Sequence, residues 1–240
     1  MLAIEFAVST INKYASSASG DTVEIVERPH GGFTALLVDG QGSGRAAKLL
    51  STLVARAVMP LIKDGVRDGV AARAAHDYLY LHRSGKVSAT LALCSVDLVS
   101  RTLVLTRNSH CPFAVYTAAA GLAWLDEAAQ PIGLYPGTRP VIREIPLLAD
   151  TWAVTFSDGL LETGRRAGLP WDVRAALAAL LPPVAPAATP RSVAAALLAA
   201  ALAADQGRPQ DDMSVLVVAL RPTPDPSLIR TLDLRAPLDL

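Results

Sequence analysis

Polar and apolar residues alternate in part over 21–29, "DTVEIVERP", and a Pro-His-Gly-Gly turn leads from there into the apolar run "GGFTALLVDG". Two such runs joined by a turn predict a β-hairpin. After three closely spaced glycines the period changes. Residues 45–63 place Ala46, Leu49, Leu50, Leu53, Val54, Ala57, Val58 and Leu61 at helical spacing. Gly65 breaks that pattern, and a second helix is expected over 66–82, with Val66, Val70, Ala74, Tyr78 and Leu81 as its apolar stripe.

Strand-like runs return at 87–98, 102–109 and 113–118, the first two joined by the turn-rich "VSRT" as a second hairpin. "GLAWLD", "PVIREIPL" and "TWAVTFSDG" continue the series. "WDVRAALAALL" and "TPRSVAAALLAAALAAD" are helical in pattern, with a Pro/Ala loop between them. Thr189 suits an N-cap, and Pro190 suits the first helical position, where its missing N–H costs nothing. "DDMSVLVVALRP" is a last buried strand, and no element is assigned to the Pro-containing tail 221–240. Strand runs kept apart from helix pairs predict an α+β fold of antiparallel sheets covered by helices, without strict βαβ alternation.

Bulk properties narrow the partners. At 51% apolar and 18% charged the chain is an ordered protein, and its 240 residues are read as one domain, 1–220, plus the tail. The 22 basic residues cancel the 22 acidic ones, so charge supports neither nucleic acid nor an anionic membrane as partner. Residues 1–14 carry Glu5 inside a short apolar stretch and lack the basic start of a signal peptide. The apolar run at 192–204 is too short to span a bilayer. Cys94 and Cys111 have no metal-binding spacing. A cytoplasmic location is expected.

The glycine loop 40–44 admits three chemistries. A P-loop needs Lys-Ser/Thr after its last glycine, whereas Gly44 is followed by Arg45 and Ala46. Gly42-Ser43-Gly44-Arg45-Ala46-Ala47 fits a dinucleotide fingerprint, but that fold needs a strand after the helix, and a second helix follows here. A metal site uses everything present. Asp39 closes its strand and Gly40 offers a carbonyl, and further acids stand at strand ends: Asp21, Asp158, Asp211 and Asp212. Oxygen-only donors favour Mg²⁺ or Mn²⁺ over Zn²⁺. Any one of these acids taken alone is more often a turn residue bonding local N–H groups; the weight lies in the set.

"VDGQGSG", "SATLALCSVDLVSRTLVLTRNSHCP", "PIGL", "TFSDGLLE" and "QDDMSVLVV", in that order, resemble the metal-dependent protein phosphatase (PPM) family. The closest branch is the bacterial one typified by SpoIIE, RsbU and RsbX, and the resemblance covers about 18–220. It implies a four-layer α-β-β-α sandwich with two Mn²⁺ or Mg²⁺ ions in a cleft at one end. On that pattern Asp39 bridges both ions and the Gly40 carbonyl binds one of them. Asp158 and Asp211 bind the other, Asp21 joins directly or through water, and Asp212 lies just behind. Such a pair of cations lowers the pKa of the water between them and so supplies the hydroxide that attacks phosphorus in line. The implied substrate is a phosphoserine or phosphothreonine on a regulatory protein of the anti-anti-sigma (STAS) or stressosome-like type. With no sensor or receiver segment ahead of the strands, RsbX is the expected counterpart. The resemblance is silent on oligomeric state.

The sequence departs from the family at two places. Ser43 stands where the loop usually carries a basic residue, and the common "N-A-G-H-x-P" string reads "NSHCP". His110 is open to a substrate-facing role or, preferred here, a local structural bond in its loop. His30, His76 and His82 are read as structural or solvent-facing, and Arg45 as a solvated helix residue. These departures keep a second reading open, a phosphatase-like binding module that docks a partner without turnover.

Overall fold

The computed structural model describes residues 1–165, 168, 171–223, 229–231 and 233–235. Ten strands among them form two five-stranded antiparallel sheets. In the first, β1 (Leu2–Ile11) pairs with β10 (Met213–Pro222), followed by β9 (Thr151–Phe156), β6 (Phe113–Thr117) and β7 (Gly121–Leu125). In the second the order is β2 (Asp21–Glu27), β3 (Gly32–Gly40), β4 (Ala89–Asp97), β5 (Thr102–Asn108) and β8 (Val141–Pro146). Both expected hairpins form, as β2–β3 and β4–β5.

The sheets pack face to face around Ala35, Leu37, Cys94, Leu103 and Leu105 from one and Phe113, Val115, Leu216 and Val218 from the other. Their outer faces carry helices. Leu36, Val38, Leu91 and Leu93 pack under α1 (Gly44–Lys63) and α2 (Asp68–Arg83). Trp152, Val154, Val215 and Val217 pack under α3 (Gly159–Glu162), α4 (Val173–Leu180) and α5 (Pro190–Ala204). The result is the α-β-β-α sandwich. Strands buried on both faces read as continuous apolar runs, which is why "TALLV" and "SVLVVAL" do not alternate. Thr189 and Ser192 cap α5 reciprocally, each side-chain oxygen accepting from the other's backbone N–H. The dinucleotide alternative falls here: the chain passes from β3 through two helices into an antiparallel neighbour, β4, so the glycine loop does not open a parallel βαβ unit.

Two expectations are corrected. The α2 stripe is inverted: Val70, Tyr78 and Leu81 are exposed, while Ala71, Ala72, Ala75, His76 and Leu79 are buried. Small side chains let α2 sit close to α1 and the sheet, so bulk marks the outer face. Residues 2–11, given no element, form edge strand β1, paired with β10 along its whole length with Glu5 exposed. In the expected tail, β10 runs on to Pro222. Positions 224–228, 232 and 236–240 lie outside the described residues.

Candidate metal centre

Strand register gathers the acids. Asp21 opens β2 and is paired across the ladder with Asp39, which lies near the end of β3. Opposed residues on antiparallel strands share one face, so both carboxylates rise from the same side of one sheet. The other sheet contributes Asp158, two residues beyond β9, and Asp211, two residues before β10. Ser157 locks those ends together: its N–H donates to the Ser214 carbonyl at 3.0 Å, and its Oγ accepts from Ser214 N at 2.9 Å.

The backbone must come close at several points. A Cβ on Gly40 would lie 2.3 Å from the Ala47 carbonyl oxygen, so only glycine lets α1 start directly over the end of β3. A Cβ on Gly159 would lie 2.2 Å from the Asp212 carbonyl oxygen. Asp212 is buried, and its two carboxylate oxygens accept from Lys13 N at 2.8 Å and Gly20 N at 2.7 Å. It therefore anchors the segment leading into Asp21. Asp211 Oδ1 accepts from Asp212 N at 2.9 Å.

The acids also act on one another through their charges. Burial pushes the Asp39 carboxyl up to about 9, with the charges of Asp21, Asp158, Asp211 and Asp212 adding to it. Burial likewise raises Asp21 to about 6; the Ser214 and Ser157 hydroxyls act in the opposite direction and the charges of Asp212 and Asp158 in the same one. Those hydroxyls are near but not in hydrogen-bond geometry, and neither Asp21 carboxylate oxygen has a partner. Asp158 is raised by burial and by Asp211, and His110 opposes the shift.

A buried carboxylate with two orphaned oxygens, among like charges, calls for a cation. The donors are all oxygens, which suits a hard divalent ion. Among the described residues no three His, Cys, Asp or Glu side chains form a ready-made cage. The fit therefore rests on donor chemistry, burial and mutual repulsion.

The "NSHCP" string lies at the same end. Asn108 Nδ2 donates to the Gln130 carbonyl at 3.1 Å, and its buried Oδ1 has no partner. The Nε2 of His110 is 4.0 Å from Asp158 Oδ2, and the imidazole is 56% exposed. His110 thus faces the acids, against the preferred sequence reading. His76 is buried, its Nδ1 accepting from Gly133 N at 3.1 Å, while Arg45 is solvated. Ser43 precedes α1 without a side-chain capping bond.

The model of the Stage II sporulation protein E (SpoIIE) family matches residues 29–221, and the chain belongs to that family. No curated protein sequence matches it. Solved structures share its fold, among them the following three. The PP2C phosphatase domain of SpoIIE from Bacillus subtilis, with a fragment of its regulatory domain, is 20% identical with a TM-score of 0.77 over 93% of this chain. The RsbU and RsbW domains of Rv1364c from Mycobacterium tuberculosis are 22% identical with a TM-score of 0.72 over 92%. The chain spans 65% and 62% of those two structures. The catalytic domain of the serine threonine protein phosphatase PstP, in complex with 2 manganese ions, is 17% identical with a TM-score of 0.66, covering 92% of this chain and 100% of PstP's. No helix among the described residues is long and apolar enough to cross a membrane.

Proposed function

We propose that this chain is a metal-dependent protein phosphatase that hydrolyses phosphoserine or phosphothreonine on a regulatory partner of the anti-anti-sigma (STAS) or stressosome-like type. One observation carries the reading: Asp21, Asp39, Asp158 and Asp211 converge from two sheets on one end of the sandwich, with Asp21's oxygens buried and unpartnered. The two manganese ions of PstP support it.

In this reading Asp39, the Gly40 carbonyl, Asp158 and Asp211 would hold Mn²⁺ or Mg²⁺. Asp21 joins from the neighbouring strand. Bound there, the cations would supply activation of water and neutralisation of phosphoryl charge. The protein's share is to fix the acids. Asp212 anchors Gly20, Ser157 joins the ends of β9 and β10, and Gly40 lets α1 close over β3. His110, exposed and 4.0 Å from Asp158, would present an imidazole to an incoming phosphoryl oxygen.

Hydrolysis of p-nitrophenyl phosphate and of a phosphoserine peptide, with and without Mn²⁺, tests the reading. Turnover that depends on Mn²⁺ and is lost in Asp39→Ala and Asp158→Ala is the expected result. Well-folded wild-type protein without such turnover would leave only a binding module, the outcome that Ser43 in the glycine loop favours.

A further inference from the structure

Lys48 stands on the second turn of α1, and its ammonium points at the strand beneath it. Its Nζ donates to the Asp21 carbonyl oxygen at 2.6 Å and to Thr22 Oγ1 at 3.0 Å. Ser51, three residues on, shares the Thr22 hydroxyl at 2.8 Å and donates to the Lys48 carbonyl at 3.1 Å. Two residues of one helix therefore grip the first two residues of β2.

That grip has a reason. β2 is the edge strand of its sheet, so one side of it has no ladder partner. The Asp21 carboxylate makes no hydrogen bond through either oxygen, so nothing on the side chain itself fixes its position. Its backbone is held instead. Gly20 N–H is tied to Asp212, Asp21 N–H donates to Ser19 Oγ at 3.1 Å, and Lys48 takes the Asp21 carbonyl. The residue before Lys48 packs its carbonyl over Gly40. One turn of α1 thus touches the backbone beside both opposed acids.

We propose that Lys48 is a positioning residue that sets Asp21 against Asp39 for binding a divalent cation; this rests on the metal-site reading above. A lysine suits the task because a four-carbon stem reaches from the helix and one ammonium serves two acceptors. Groups that orient a metal's ligands from behind are typically worth 10–100-fold in affinity.

Calorimetric titration of the full chain with Mn²⁺, for wild type, Lys48→Met and Lys48→Arg, tests this beside amide hydrogen exchange at 20–22 in the metal-free protein. Lys48→Met is expected to weaken Mn²⁺ binding about tenfold, to speed exchange at Asp21 and Thr22, and to leave the melting temperature within a few degrees of wild type. Lys48→Arg is expected to recover part of the affinity. If Lys48→Met does not fold, Thr22→Val removes one of the two acceptors and is expected to show a smaller weakening. Unchanged Mn²⁺ affinity in a folded variant would overturn the role of Lys48 alone. A wild-type trace without Mn²⁺ binding would instead overturn the metal-site reading.

Discussion

Asp21 and Asp39 face each other directly across the β2–β3 ladder. Like charges so placed destabilise a sheet unless something neutralises them. Burial and neighbouring acids hold Asp39 at about 9, far above the 3.8 of an ordinary aspartate. Between those values the folded protein binds more protons than the unfolded chain, so stability of the metal-free protein falls as pH rises through that window. Thermal melts in chelator are expected to show a lower melting temperature at pH 8 than at pH 6. Asp39→Asn should flatten the slope and melt several degrees above wild type at pH 8. Parallel pH curves for the two proteins would contradict this. Added Mn²⁺ should restore wild-type stability by mass action.

Asp212 ties together the backbone around the acids. Its oxygens satisfy the N–H groups of Lys13 and Gly20. Asp212→Ala leaves two donors unmatched and should cost about 2–4 kcal/mol, read as a lower urea midpoint. Asp212→Asn turns an amide donor towards one of those N–H groups, so most of the same loss is expected.

The glycine loop divides into a part that packs and a part that turns. Gly40→Ala drives a methyl to within 2.3 Å of the Ala47 carbonyl oxygen. It should cost about 1–3 kcal/mol by overpacking and weaken Mn²⁺ binding, because α1 must lift. Gly42 has φ +95° and nothing within 4 Å of a Cβ. Gly42→Ala should cost about 1–2 kcal/mol in backbone strain while leaving Mn²⁺ affinity close to wild type. Equal losses of affinity in both variants, seen by calorimetry, would refute the division.

At the opposite end of the second sheet, Arg28 Nη1 lies 2.7 Å from Asp68 Oδ1, with both side chains buried and Thr34 and Ser95 completing the network. Asp68→Ala strands a buried guanidinium and should cost about 3–5 kcal/mol. Replacing both partners by apolar residues should recover much of that loss in denaturant unfolding.

Local patterns reveal the hairpins, α1 and the acids well, because strand runs, helical spacing and turn residues are short-range signals. They mislead on α2, where alanine fills the buried face and Val70, Tyr78 and Leu81 carry the bulk outside. They miss β1, an edge strand whose partial burial gives no clean period. Lys48 and the Arg28–Asp68 pair are also invisible. A lysine on a helix surface and an arginine in a turn read as solvated until register shows what lies beneath them. Which acids meet is likewise a long-range matter: Asp21 and Asp158 stand at the ends of strands in different sheets.

A count of Mn²⁺ bound per chain, by calorimetry with elemental analysis, bears most directly on the cluster of Asp21, Asp39, Asp158 and Asp211. About two ions per wild-type chain are expected, as in two-metal hydrolytic sites, with loss of binding in a folded Asp39→Ala variant. No bound Mn²⁺ in the wild type, or the same count in wild type and Asp39→Ala, would contradict a metal centre built on these four acids.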